Sequence, residues 1–209
     1  MNLKEALSLI GGLGEPSKMP CYTYSTSAER CKTGGKLKSI EGSVCNKCYA
    51  MRGNYLFDIV KAAHERRFQS LSNPLWVEAM TLAIQKLEYS GHFRWHDSGD
   101  IQDLPHLIKI VQVARNLPKI KFWLPTREYG IVAEFVRKVG PFPRNLIVRL
   151  SSYMMEGAPP VELAKKLGVK TSGVSKEGFT CPAPSQGNKC LDCRACWNSR
   201  ITNVIYKRH

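Results

Sequence analysis

The residues best equipped for metal chemistry are eight cysteines in two groups, Cys21/Cys31/Cys45/Cys48 and Cys181/Cys190/Cys193/Cys196. Such density is unusual for a chain whose core needs no disulfide staples. Cys190, Cys193 and Cys196 form a C-x2-C-x2-C run with Cys181 upstream. That run wraps three corners of an iron–sulfur cubane and draws its fourth ligand from elsewhere. In the first group Cys45 and Cys48 form one C-x2-C pair, with Cys31 and Cys21 farther off, a pattern that also suits zinc. The spacing therefore predicts one or two iron–sulfur clusters, most readily of the 4Fe-4S kind, with zinc as the alternative. Ligands from both groups could also meet on one cluster.

A second set of chemistry-bearing residues recurs after apolar runs. The stretch "RWHDSGD" supplies Arg94, His96, Asp97, Ser98 and Asp100 around Gly99. "PTRE" supplies Thr126, Arg127 and Glu128, "RLSS" supplies Arg149, Ser151 and Ser152, and "TSGVS" supplies Thr171, Ser172 and Ser175. Capping of the next helix accounts for Ser152 and Thr171. The crowding in "RWHDSGD" points instead to a ligand pocket of His96, Asp97, Ser98, Asp100, Arg127 and Arg149. There the two arginines either clamp a carboxylate or phosphate or pair with Asp97, Asp100 or Glu128. No residue is assigned a catalytic role.

These residues need elements to hold them, and the pattern supplies strands alternating with helices. Helical spacing runs through "LFDIVKAAHERRFQSL", with Phe57, Val60, Ala63 and Phe68 available for one face, and through "NPLWVEAMTLAIQKLEYS", with Asn73 as N-cap. Strand-like "HFRW", "KIKFWLPT", "NLIVRLSS" and "VKTSGVS" then alternate with the helical "LPHLIKIVQVARNL", "EYGIVAEFVRKVG" and "PVELAKKLG". This order predicts βαβ units and an α/β fold: a partial (β/α) barrel or an open parallel sheet, too short for a closed eightfold barrel. A single domain is expected. It comprises a cysteine-bearing segment over 1–55, an α/β core over 56–176 and a second cysteine-bearing segment over 177–209.

Composition narrows the class. The formal net charge of +14 would fall to roughly +10 with two four-thiolate clusters in place. That excess suggests a polyanionic partner such as nucleic acid, with a host protein as the other candidate partner and simple solubility as the alternative reading of the charge. The basic and aromatic stretches "RGNY", "HERRF" and "YKRH" are the candidate contacts. No apolar run is long enough to span a bilayer, and the N-terminal "MNLKEALSLIGGLGE" reads as an amphipathic helix, not a signal peptide. A cytoplasmic location without membrane attachment is expected; the oligomeric state is not legible.

Taken together, "VCNKCYAMRGNY", "FRWHDSGD" and "CRACW" resemble a family of phage proteins described as gene product 88. The matching positions are Cys45, Cys48, Tyr49 and Ala50, then Ser98, Gly99 and Asp100, then Cys190, Cys193, Cys196 and Trp197. The resemblance implies a phage-encoded protein of the host cytoplasm with an iron–sulfur cluster and an open biochemical role. A looser similarity is to radical S-adenosylmethionine enzymes, which hold a three-cysteine cubane before a partial (β/α) barrel and leave one iron open for the cofactor. Their C-x3-C-x2-C spacing is absent, since Glu41 stands four before Cys45. Cys31 would serve as first ligand, and Cys21 could fill the open position, which would exclude S-adenosylmethionine.

Overall fold

The computed structural model describes residues 1–174 and 178–207; Ser175, and Arg208 and His209 of "YKRH", lie outside the described residues. Helix α1 (Leu3–Ile10) opens with a capping box between Asn2 and Glu5 and closes on left-handed Gly11. There follow β1 (Thr23–Tyr24), α2 (Lys32–Leu37), α3 (Asp58–Ser70), α4 (Trp76–Leu87), β2 (His92–Trp95) and α5 (Leu104–Asn116). The chain continues through β3 (Lys121–Thr126), α6 (Tyr129–Lys138), β4 (Leu146–Ser151), α7 (Val161–Leu167) and β5 (Lys170–Gly173). It ends with β6 (Phe179–Thr180) and β7 (Asn203–Ile205).

The strands form one open sheet in the order β1-β2-β3-β4-β5-β7-β6, every pair parallel. The expected open parallel sheet is therefore present. Strands that follow one another in space as in sequence, joined by crossovers of one hand, must carry their helices on one face. Side-chain alternation then gives the sheet two unlike faces. Phe93 pairs in register with Phe122, and Phe122 with Leu146; with Trp95, Leu124, Val148 and Leu150 they pack under α1, α4, α5 and α6 as the apolar core. Tyr24, Trp76 and Trp95 fill the β1 end of that core, and the Trp76 indole N–H donates to the Tyr24 hydroxyl at 3.2 Å.

The other face carries Arg94, in register with Trp123, and Arg149, in register with Pro125. No helix covers it. Trp197 stands edge-on to Trp123 at 5.4 Å and donates its indole N–H to Phe93 O at 2.9 Å, so the C-terminal cysteine segment lies on this face.

Two helical expectations need correction. The α3 face with Phe57, Val60, Ala63 and Phe68 is not the buried one: α3 buries His64, Arg67 and Ser70, and Phe57 is 58% exposed. Arg67 supplies the reason, since its guanidinium donates to Gly12 O and Leu13 O at 3.0 Å and so docks the polar side of α3 on the α1–β1 loop. Asn73 does not cap α4 directly. Its side chain accepts from Leu75 N–H at 2.9 Å and its carbonyl from Trp76 N–H at 3.2 Å, closing a turn before helical bonding begins at Trp76.

Candidate functional site

The cysteines regroup in three dimensions. Cys31, at the N-cap of α2, meets Cys45 and Cys48 over the carboxyl ends of the strands. A point 3.5 Å from Cys45 Sγ and 3.7 Å from Cys31 Sγ is where a Cβ on Gly34 would sit, so glycine keeps the space between the two thiols free. The loop is held there from several sides. Val44 N–H donates to Tyr153 O at 2.8 Å, and Thr33 N–H and Oγ1 both donate to the Glu128 carboxylate at 2.8 Å. Burial raises the Cys31 and Cys45 thiol pKa values; the neighbouring Asp100 adds to the rise and Arg127 opposes it. For Cys31 and Cys45 burial thus favours the thiol over the thiolate, a preference that a bound cation would offset.

Cys21 does not join them. It packs with Met19, Trp123 and Trp197 beside Cys190 and Cys196, on the sheet face opposite the helices. Burial, with the charge of Glu88, pushes its thiol up to about 12. Cys181, Cys190, Cys193 and Cys196 line one cavity of about 20 Å³, the scale of a single water. Burial pushes the Cys196 thiol up to about 11, against the Tyr206 hydroxyl that lies 3.4 Å from its sulfur. Among the described residues, no three His, Cys, Asp or Glu side chains are close enough to share one metal ion. The four thiols surround a space; they do not converge on a point.

Arg149 positions this second set. It is fully buried and donates five hydrogen bonds, all to main-chain carbonyls: Cys196, Ala195, Asn198, Ile201 and Thr171, at 3.0–3.1 Å. The structure thus does not bring Arg149 to the strand-end residues, and no carboxylate pairs with it among the described residues. Burial lowers its pKa, while Tyr206 and Cys196 act in the opposite sense. A buried cation without an acid partner favours thiolate over thiol on the adjacent loop.

The other strand-end residues do assemble. Asp100 accepts from Ile101 N–H and Thr126 Oγ1 at one oxygen and from Arg127 N–H at the other, at 2.6–2.8 Å. Its carboxylate ties the β2 turn to the β3 turn. Burial pushes its pKa up to about 6 despite these donors. Gly99 has φ 79° and lies so near the end of β1 that a Cβ would fall 2.2 Å from Thr26 Oγ1. Arg127 donates from Nε to Ser152 O at 3.1 Å and turns its charge toward Cys45 and Cys31.

Unsatisfied polar atoms concentrate at this same turn. Arg94 Nε, Trp95 Nε1, both ring nitrogens of His96, Asp97 Oδ1 and Ser98 Oγ are buried without a hydrogen-bond partner, as are Thr26 Oγ1 and His106 Nε2 beside them. Buried polar atoms rarely stay unpaired, and where they do a ligand, ion or water usually completes them. His96 also sits at φ 54°, a costly backbone for a residue with a Cβ. Burial, reinforced by His106 and Arg94, drives its pKa well below the ordinary histidine value. Half-buried Arg94 is stacked 4.4 Å over the Trp123 ring, and its charge acts on Cys21, Cys190 and Cys196. Burial alone would lower its pKa, but Tyr49, Asp97, Tyr206 and Cys196 outweigh it and leave it raised.

Sequence reasoning missed the roles of Gly34, Arg94 and Tyr49, whose hydroxyl donates to Asp97 O. Tyr49 had a signal in its place directly after the Cys45/Cys48 pair and Arg94 in the crowded "RWHDSGD"; Gly34 had none.

The model of the gene product 88 family matches residues 2–199, and the chain belongs to that family. No curated protein and no solved structure matches it. Among the described residues no helix is long and apolar enough to cross a membrane.

Proposed function

We propose that this gene product 88 family member is an iron–sulfur protein with two thiol sites of different kind. The observation that carries this reading is the placement of Cys21 with the C-terminal thiols, which leaves Cys31, Cys45 and Cys48 as a set of three. Three thiolates hold a cubane and leave one corner for another ligand; four or five cysteines close a site entirely. The open set lies over the carboxyl ends of parallel strands, where ligands of such folds bind. When bound there, a cluster would supply a Lewis-acid position and one-electron chemistry.

The chain's own residues supply the surroundings. Arg127 offers positive charge to thiolates and to an anionic group of a ligand. His96, Asp97 and Ser98 offer unpaired polar atoms nearby, and Asp100 fixes the turns that carry them. S-adenosylmethionine is the ligand to which the similarity to radical enzymes points. The C-terminal set, clamped by Arg149, serves as a second cluster site, and the small cavity between its thiols requires residues 181–196 to open on loading. Zinc is the competing occupant. The positive charge of the chain supports a nucleic-acid or host-protein partner in the host cytoplasm.

Anaerobic purification with iron, sulfide and zinc analysis tests the assignment. The expected result is a brown protein bleached by dithionite, from which the triple Cys31→Ala/Cys45→Ala/Cys48→Ala variant loses about half the iron. Electron paramagnetic resonance of the reduced protein should change on adding S-adenosylmethionine, and the triple variant should lose that response. A colourless protein carrying stoichiometric zinc overturns the reading.

A further inference from the structure

We propose that the cleft formed directly after Cys48 binds a phosphorylated nucleobase, either a free nucleotide or one unit of a single strand. The cleft, about 390 Å³, is lined by Lys47, Tyr49, Arg52, Gly53, Asn54 and Tyr55. That volume lies within the usual range for small-molecule sites. It is built by two short 3-10 turns, Tyr49–Met51 and Gly53–Leu56, joined where Gly53 adopts φ 54°.

The aromatic component is exposed yet fixed. Tyr49 is 49% accessible, but its hydroxyl is bonded to Asp97 O and its ring meets Tyr55 edge-on at 5.8 Å. Tyr55 in turn packs 6.1 Å from the ring of His64, a buried residue of α3. A ring held open to solvent in one orientation loses little entropy on stacking, which is what a base requires of its platform.

The charge component is equally specific. Lys47 and Arg52 are exposed and form no ion pair among the described residues, and no acidic side chain lines the cleft. Two uncompensated cations flanking a tyrosine pair match a phosphate attached to a planar base. They oppose a sulfonium, which separates this cleft from the ligand position at the three-thiol set. The net charge of +14 adds long-range attraction for a polyanion.

The inference needs no metal, so its test and that of the cluster assignment fail independently. Binding of a fluorescein-labelled oligothymidylate of roughly ten nucleotides is measured by anisotropy, and of thymidine and adenosine monophosphates by equilibrium dialysis. Both use the full chain as purified and the Cys31→Ala/Cys45→Ala/Cys48→Ala variant. Tyr49→Ala should weaken binding about tenfold, in line with the loss of one stacked base, whereas Tyr49→Phe keeps the ring and its packing on Tyr55 but loses the bond to Asp97 O, and should bind more tightly than Tyr49→Ala and no more tightly than the parent. Lys47→Glu/Arg52→Glu should weaken binding and reduce the log–log salt slope by roughly 1.4, the share of two phosphate contacts on a single strand. Binding of the monophosphates identifies a nucleotide pocket; binding of the oligomer alone identifies a strand. If neither probe binds, or if Tyr49→Ala and the charge-reversal pair bind like the parent, the proposal fails.

Discussion

Replacing Arg149 should loosen the C-terminal cysteine segment, because this one side chain bonds four of its carbonyls, at Ala195, Cys196, Asn198 and Ile201. Arg149→Met keeps the length and apolar stem while removing five hydrogen bonds to the carbonyls of Thr171, Ala195, Cys196, Asn198 and Ile201. The cost is below the sum of five lost bonds. Ala195 O and Asn198 O also accept from Asn198 N–H and Ile201 N–H and stay paired, and the variant no longer buries a cation. The carbonyls that lose their donor each cost about 1–3 kcal/mol, giving about 3–5 kcal/mol in all. For a chain of this length that is a fall of roughly 6–20 °C in melting temperature, and a large part of a typical total stability of about 5–15 kcal/mol. Arg149→Lys should recover little, since an ammonium on a flexible stem cannot span carbonyls on both sides of the loop. Thermal unfolding by circular dichroism measures the loss, and limited proteolysis locates it: cleavage should appear first within 181–201. An Arg149→Met protein that melts within about 2 °C of the parent, with the C-terminal segment as protected as before, would refute the clamp.

Other consequences follow from the same geometry. Gly99→Ala places a Cβ 2.2 Å from Thr26 Oγ1 at positive φ and should destabilise by about 2–4 kcal/mol, read in a urea titration against Gly140→Ala, where φ is also positive but nothing stands near the Cβ. Gly34→Val fills the gap between Cys31 and Cys45; metal analysis should show it lowering the metal content of a background lacking Cys190, Cys193 and Cys196, where only the strand-end set can load, and leaving unchanged that of a background lacking Cys31, Cys45 and Cys48. Burial holds His106 down to about 4, so it takes up a proton on unfolding between that pH and about 6.5. Stability should therefore rise with pH across that window, by up to roughly 3 kcal/mol; His106→Gln should flatten the rise, and an unchanged slope in denaturant melts would remove His106 as its source.

Much of this architecture was legible because local pattern and global fold agree. The runs "KIKFWLPT" and "NLIVRLSS" between helical stretches read as strands, and helices of that length between them argue for parallel crossovers. The crowding of polar residues at "RWHDSGD" marked a real junction, since the turn collects most of the unpaired buried polar atoms of the described chain. The face of α3 was misread for a physical reason. Periodicity counts apolar residues, but Arg67 docks α3 through carbonyls of the α1–β1 loop and Ser70 through the carbonyl of Ile10 at the end of α1, which leave no trace in hydropathy.

The sequence by itself determined an α/β chain with eight thiols and a positive surplus, because alternation, spacing and charge are local properties. Only the tertiary structure decided how the thiols divide. Cys21 precedes β1 and Cys31 follows it; in a parallel sheet a single strand carries the chain from the amino edge to the carboxyl edge, so two cysteines ten residues apart belong to different sites. Arg149 likewise looked like a strand-end residue. Pairing with Pro125 and Lys170 sets it inside β4, and the alternation of side chains turns it away from the helices and beneath the cysteine loop.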